Sequence, residues 1–483
     1  MKKDFTENDR TLSPSNGLGK PTANTATIQD LDTLKSSLSI DATVDLIGEA
    51  GYATSAARWS DLNTPKPGAV VNVASESDIE ATIQWATKHG VPFVAQSGGH
   101  AWASWFKINS GGIVINMRKL NTVDIDTEKG LAVIGGGAVV QEVVDAAKSQ
   151  KSHIVIGTCN SVGAIASITG GGIGHLMGLY GPGADNMVSA RLIGPDGIAK
   201  AVSAAENSDL WWALRGAAHN FGIISSLTVK VYPEINDGLH FIALVAFPDA
   251  LLEQVIEIAN KLELEQTMSF NVIFGRAPPT MDPMIAISIW HAGSEESAKR
   301  LFAPIFDLQP FVIMSGMVPY DHLNDGIDPH CFKGGYKTCW SVAVDSIDTK
   351  AAREIWDEYV AFSSHDDAKH SIVNFENYSH AKAHAVSQDE NAVGPAIRTM
   401  KRHCFASTIY SDAALIQPAK AYGEKFRNLM TKSSDKHVVY PNFSVGDEDM
   451  EQLYGKGERL EKLRALKRKY DPEGLFSHFI PIN

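Results

Sequence analysis

Hydrophobic and polar positions change period several times along this chain. Residues Asp78 to Lys88 follow a helical spacing, with Ile79, Ile83 and Ala86 on one face, Ser77 placed as N-cap and Gly90 as the stop. The apolar run Val91 to Ala95 predicts a short buried strand that ends at Gln96-Ser97-Gly98-Gly99-His100. Further strands are predicted over Gly112 to Asn116, Leu131 to Ile134, His153 to Ile156, Arg191 to Gly194 and Leu227 to Tyr232, with a helix over Val139 to Ser149. Strand and helix alternate through residues 65–233, the pattern of a mixed α/β unit. From about residue 236 the texture changes. Leu239 to Phe247, Phe270 to Phe274 and Met284 to His291 read as longer antiparallel strands, separated in places by helices near 250–263, 295–306 and 348–362. A second α+β unit is therefore expected to about residue 435. Met450 to Tyr470 reads as one charged helix, with Leu453, Leu460, Leu463 and Leu466 near one face and its basic residues on a solvated surface. Residues 1–40 read as a mobile lead-in followed by a short helix, and no internal repeat is present.

Composition sets the scale of this picture. The chain has 483 residues, too many for one compact core, so two units are expected, one of them interrupted by the other. Its hydrophobic share of 44% and charged share of 20% are those of a folded globular protein. A formal net charge of -13 argues against a nucleic-acid partner. No apolar run approaches a membrane span. Met1 to Thr27 lacks the apolar core of a signal peptide, so a cytoplasmic location is expected, with a secreted mature form as the alternative. Asn377-Tyr378-Ser379 and Asn442-Phe443-Ser444 match the glycosylation sequon, a match too frequent by chance to settle the compartment. Four cysteines (Cys159, Cys331, Cys339 and Cys404) do not make a disulfide framework. Cys331 and Cys339, with His330 beside the first, lack the close spacing of a zinc site, so no metal is expected and these thiols read as buried and inert.

The glycines carry the first positive clue. They cluster at the ends of predicted strands, around 98–99, 135–137 and 157–174. Without Cβ atoms the backbone N–H groups of such loops can converge on an anion, and a pyrophosphate is the usual guest. The Rossmann fingerprint and the phosphate-binding loop ending in Gly-Lys-Ser/Thr are both absent. The competing reading is that these glycines only form tight turns.

Several blocks taken together resemble a known family. Ser97-Gly98-Gly99-His100 looks like the flavin-attachment loop of FAD-linked oxidases of the vanillyl-alcohol-oxidase type. Gly157-Thr158-Cys159-Asn160-Ser161-Val162-Gly163 resembles the second attachment loop of the berberine-bridge-enzyme-like branch, in its fungal-type members, and Gly170-Gly171-Gly172-Ile173-Gly174 follows at the family's spacing. Asp209 to Gly216, Asn220-Phe221-Gly222-Ile223-Ile224, Tyr440-Pro441-Asn442-Phe443 and Lys469-Tyr470-Asp471-Pro472 continue the likeness in order. The resemblance implies an α+β fold. A two-part FAD-binding domain of the PCMH type would span 41–235, with its core at 65–233, and be completed by the C-terminal module 436–483. An antiparallel-sheet-plus-helices substrate domain would be inserted at 236–435.

The same resemblance implies site residues. His100 would carry the flavin through its ring and Cys159 through its sulfur. Gln96, Ser97, Gly98, Gly99, Thr158, Ser161, Val162, Gly163, Gly170, Gly172, Gly174, Gly222, Ile223, Ile224 and Asn442 would line the cofactor. Gln96 stands where an arginine is frequent, and Asn160-Ser161 where Pro-Thr is frequent. Val162 would lie near the flavin, where a small residue admits oxygen. Tyr440 would approach from the substrate side as the catalytic base, with Glu376 as the second candidate, although glutamates on strands are most often solvated. The implied activity is that of an FAD-dependent oxidase with bicovalent flavin. Hydride would leave an alcohol, an amine or a polycyclic secondary metabolite, and dioxygen would be reduced to hydrogen peroxide. The alternatives are a carbohydrate oxidase of the same family, a cyclase that uses FAD structurally, and a non-enzymatic binding protein. The expected partners are a bulky small-molecule substrate and dioxygen, with neither nucleic acid nor membrane, in a monomer or homodimer.

Overall fold

The computed structural model describes residues 28–106, 108–432 and 436–483. Residues 1–27 of the expected lead-in, and the border expected at 435, lie outside the described residues. The short helix after the lead-in is Ile28–Ser37.

The first part of the chain builds two main sheets. In the four-stranded sheet the order is Thr43–Leu46, Ala69–Asn72, Ile113–Asn116, Phe93–Gln96. The last three run parallel, and Thr43–Leu46 pairs antiparallel at the edge. Ala69–Asn72 and Ile113–Asn116 are buried at every position, as their unbroken apolar runs require. Helix Glu76–His89 covers this sheet and begins ahead of the predicted start. Its cap is Ser75, not Ser77: the Ser75 hydroxyl accepts from the Asp78 N–H while the Asp78 carboxylate accepts from the Ser75 N–H. Gly90 closes it in the left-handed conformation, φ 64°.

The five-stranded antiparallel sheet has the order Val123–Asp126, Leu131–Gly135, Ile223–Lys230, Met187–Ile193, Ala199–Ser203. The strand predicted over His153 to Ile156 shrinks to Ser152–His153. The Tyr320 hydroxyl takes the place of a neighbouring strand there, accepting from the Ile154 N–H and donating to the Ile154 carbonyl.

From Leu239 onward the chain forms a seven-stranded antiparallel sheet. Its order is Phe311–Pro319, Leu239–Phe247, Asp282–His291, Met268–Ala277, Ile372–Tyr378, Arg402–Tyr410, Tyr336–Val344. Helices Leu252–Lys261, Thr349–Phe362 and Ile416–Thr431 bury one face of it, with Phe270, Phe274, Phe375, Trp356, Tyr359 and Phe426 in the shared core. The helix predicted near 295–306 is two pieces, Glu295–Leu301 and Ala303–Phe306, because Pro304 lacks the N–H that would continue the first. Alternate positions on the sheet's other face are polar and turn toward the first part of the chain. Ser341 donates to the Phe443 carbonyl, and the rings of His403 and Tyr440 meet at 5.8 Å.

The C-terminal segment returns to the first part. The single helix predicted over Met450 to Tyr470 is instead Met450–Tyr454 and Glu458–Tyr470, broken where Gly455 and Gly457 take φ 84° and 69°. The four leucines are buried, but so are Arg459 and Lys467, which corrects the reading of a uniformly solvated basic face. Lys467 pairs with Asp471 and donates to the carbonyls of Asn220 and Phe476, while Asn220 in turn bonds to Ile480 and Ile482. These buried polar contacts fasten the chain's end beside Gly222.

Candidate functional site

Two loops meet at the edge of the first part. One continues strand Phe93–Gln96 into Ser97-Gly98-Gly99-His100, and the other runs from Gly157 to Gly163. A Cβ on Gly98 would strike the Ser161 carbonyl and the Gly163 nitrogen, and a Cβ on Gly163 would strike the Ser97 hydroxyl. The glycines are what allow the backbones to approach so closely. The approach brings His100 Nε2 to 2.8 Å from Ser161 Oγ, while Cys159 Sγ lies 3.8 Å from the same hydroxyl. His100 stacks on Trp59, ring centres 5.8 Å apart. Burial, aided by the charges of Lys333, Arg58 and Lys337, pushes its imidazole down to about 3, so the ring is neutral at physiological pH.

Cys331, read from sequence as a buried and inert thiol, is only half-buried and has a sulfur neighbour. Its sulfur lies 2.7 Å from Cys159 Sγ. This hydrogen bond holds the Cys159 thiol below its ordinary range against the opposing effect of burial, and it holds Cys331 above that range. Two of the three residues that depart from the family pattern find partners here. The Asn160 amide donates to Asp328 at 3.1 Å, and Ser161 supplies the hydroxyl that His100 and Cys159 share.

Beside these loops a cleft opens between the two sheets of the first part. It encloses about 1110 Å³ of empty space, solvent at its mouth included. Of the residues predicted from sequence, Gln96, Ser97, Gly99, Gly222, Ile223, Ile224 and Asn442 line it. Gly170, Gly172 and Gly174 do not: each packs on the chain itself, against Asn442, Gly183 and the Ile156 carbonyl respectively. Val162 is half-buried against the core, and its N–H donates to the Cys159 carbonyl. The Thr158 side chain lies close enough to the Tyr378 phenol to favour its ionised form against the effect of burial.

Sequence reasoning missed Arg58. It is buried, lines the cleft, and donates to Gln96 Oε1 at 2.8 Å and to the Ala101 carbonyl at 3.2 Å. It has no carboxylate partner among the described residues, and burial lowers it to about 10. Gln96 thus carries an arginine on its side chain instead of being one. No local pattern marks Arg58, because it reaches Gln96 from 38 positions away. A buried cation without a counter-ion, beside glycine backbone, fits a cofactor that carries phosphate.

On the polar face of the seven-stranded sheet, Asn271, Glu376 and His403 stand opposite one another on three neighbouring strands. Glu376 is buried, only 5% exposed, and not solvated. Asn374 donates to its Oε1 at 3.3 Å, while Oε2 is buried without a partner, and burial pushes the carboxyl up to about 8. Both ring nitrogens of His403 are likewise buried and unpartnered, and burial pushes that ring down to about 3. Tyr440 accepts at its hydroxyl from the Gly172 N–H at 3.2 Å and from the Asn442 amide at 2.7 Å. Burial outweighs these donors and pushes the phenol up to about 12. His403 and Asn271 were also missed, although the alternation of Asn374 and Glu376 with Val373 and Phe375 marks the neighbouring strand as having one polar face.

Known proteins resemble this chain in sequence and in fold. Residues 67–203 match the FAD binding domain family. The chain is 32% identical over 452 residues to the FAD-linked oxidoreductase hasG of Aspergillus fumigatus, covering 90% of this chain and 96% of that protein. Glucooligosaccharide oxidase from Acremonium strictum, described with a 6-S-cysteinyl, 8α-N1-histidyl FAD, superposes with a TM-score of 0.81 at 21% identity, covering 94% of this chain and 99% of that one. The 6-hydroxy-D-nicotine oxidase of Arthrobacter nicotinovorans gives 0.80 at 21% identity, with 92% and 98% covered. The chain belongs to the FAD-linked oxidoreductase family, and its fold is the mixed α+β fold of the PCMH-type flavin oxidases. Among the described residues no helix is long and apolar enough to cross a membrane, and no group of His, Cys, Asp and Glu could hold a metal.

Proposed function

We propose that the chain is an FAD-dependent oxidase whose flavin is bonded to both His100 and Cys159. It acts on a small molecule held between the cofactor and the polar face of the seven-stranded sheet. The observation that carries this reading is Glu376, a buried carboxyl with one unpartnered oxygen on the polar face of the seven-stranded sheet, beside His403. When bound, FAD supplies hydride acceptance at N5 and passes the electrons to dioxygen, giving hydrogen peroxide.

The residues divide the remaining work. In the tautomer that carries its proton on Nε2, the neutral His100 donates to Ser161 and keeps the Nδ1 lone pair for the cofactor. Cys159, whose thiolate Cys331 favours, supplies the sulfur. Arg58 supplies the cation for the cofactor's negative charge. Glu376 takes the O–H or N–H proton of the substrate as hydride leaves the adjacent carbon. With its pKa raised to about 8, the carboxyl is mostly protonated at neutral pH, and the carboxylate fraction that grows as the pH rises is the base. Tyr440, near 12, stays protonated and holds the substrate through its O–H. Phe405, Phe443 and Tyr440 pack edge to face on this side, a surface suited to a ring-bearing alcohol or amine. Val162 beside Cys159 agrees with access for dioxygen.

The test has two parts. The yellow colour of the purified protein should survive acid precipitation, persist in His100→Ala and in Cys159→Ala, and be lost in the double variant. Anaerobic mixing with a substrate found by peroxide release should bleach the flavin. Colour lost from wild type on precipitation would remove the covalent links. Turnover with the flavin left oxidised would replace the oxidase with a non-redox cyclase.

A further inference from the structure

We infer that Cys159 and Cys331 form a reversible disulfide whenever the Cys159 sulfur is not bonded to flavin, so that one sulfur is shared between two competing bonds. The clause about flavin rests on the attachment proposed above, whereas the disulfide itself rests on geometry alone.

The juxtaposition is built from both sides. Cys331 follows the turn Asp325–His330, in the loop between strands Phe311–Pro319 and Tyr336–Val344. From the Cys159 loop, the Asn160 amide donates to Asp328 at 3.1 Å and to Asp325 at 3.4 Å, holding that turn down. From the opposite side, Trp59 Nε1 donates to the His330 carbonyl at 2.8 Å and the Gly334 N–H donates to the Arg58 carbonyl at 3.0 Å. The buried Lys337 ammonium joins the same junction, donating to the carbonyls of Trp59 and Phe332 at 2.8 and 2.7 Å. Cys331 therefore has little freedom to leave its neighbour. The sulfurs stand 2.7 Å apart, closer than unbonded sulfur atoms normally pack and outside the roughly 2.05 Å of a disulfide bond. Cys159 and Cys331 are half-buried, whereas Cys339 and Cys404 are buried.

The chemistry closes with a peroxide as oxidant. The Cys159 thiolate attacks a peroxide oxygen, becoming a sulfenic acid as water is released. The Cys331 thiol then attacks that sulfur and expels a second water. Two thiols and one hydrogen peroxide thus give one disulfide and two waters. A dithiol reductant reverses the bond by exchange through a mixed disulfide and leaves as its own disulfide. While the bond stands, Cys159 has no free thiolate to offer a flavin.

The full chain, purified from riboflavin-starved cells so that flavin-free molecules are present, is divided between hydrogen peroxide and dithiothreitol. Both portions are then alkylated, digested and read by mass spectrometry. The peroxide portion should yield a Cys159–Cys331 linked peptide, and the dithiothreitol portion two separately alkylated peptides. Cys331→Ser should abolish the linked peptide and raise the share of Cys159 peptides that carry flavin after production without reductant. Equal alkylation of both thiols before and after peroxide overturns the disulfide, as does linkage of Cys331 to Cys339 or Cys404. A linked peptide with flavin on no Cys159 peptide keeps the disulfide and sinks the attachment. Flavin on Cys159 with no linked peptide in the flavin-free remainder does the reverse.

Discussion

Glu376 owes its chemistry to what surrounds it. Water normally solvates a glutamate on a strand, but here the seven-stranded sheet turns the carboxyl inward with Asn374 as its donor, and desolvation favours the protonated form. Its working form as a base is the carboxylate, which predominates only above about 8. The value of kcat/KM should therefore rise with pH through that region and then level. Glu376→Gln should keep its flavin, lower kcat roughly 10²–10⁴-fold, the usual worth of a positioned base, and lose the rising limb. Steady-state kinetics across pH 6 to about 10 check this, and a wild-type rate in the variant would remove Glu376 from the mechanism. The residue type and its strand were legible in the sequence. Its protonation state was not, because that depends on neighbours brought in from distant strands, His403 and Asn271 among them.

At the scale of elements, the site depends on two loops held in backbone contact. Gly98→Ala places a methyl group against the Ser161 carbonyl, which cannot move without displacing Cys159. That substitution should cost about 1–3 kcal/mol of stability, in the range of overpacking, and reduce the flavin retained after acid precipitation. Gly326→Ala, where nothing lies within 4 Å of the added atom, should change neither property. Thermal melts and flavin absorbance of the two variants decide this, and equal behaviour would show that the contact is not needed. The long elements were legible because their apolar periods are long: Leu239–Phe247 and Thr349–Phe362 fall where the pattern puts them. The misreadings came from local backbone chemistry. Gly455 and Gly457 broke a helix that the leucine spacing carried straight through, although both glycines stand in the sequence. Four-residue strands such as Val123–Asp126 are too short to show a period at all.

Over the whole molecule, burial has placed an unusual number of histidines in neutral form. His153, His175 and His219 are held down at about 4, and His240 and His403 at about 3, in each case chiefly by desolvation. Unfolded, each would titrate near 6.5, so between that pH and about 4 the unfolded chain binds more protons than the folded one. Stability should be full above pH 6.5 and fall as the pH drops through this window. Glu376 opposes the trend as a single group, since its raised pKa favours the folded state as pH falls. Melting temperatures measured from pH 8 to 4 should decline steeply below 6.5, and a flat profile to pH 5 would contradict the buried-neutral assignment. The sequence by itself determined the two textures of chain and the glycine loops on which His100 and Cys159 stand, because these depend on local period and residue type. Only the tertiary structure decided that Arg58 reaches Gln96, that Glu376 lies beside His403, and that Cys331 faces Cys159. Those pairings join residues 27 to 172 positions apart, and burial, charge and thiol chemistry depend on through-space distance that no local pattern records.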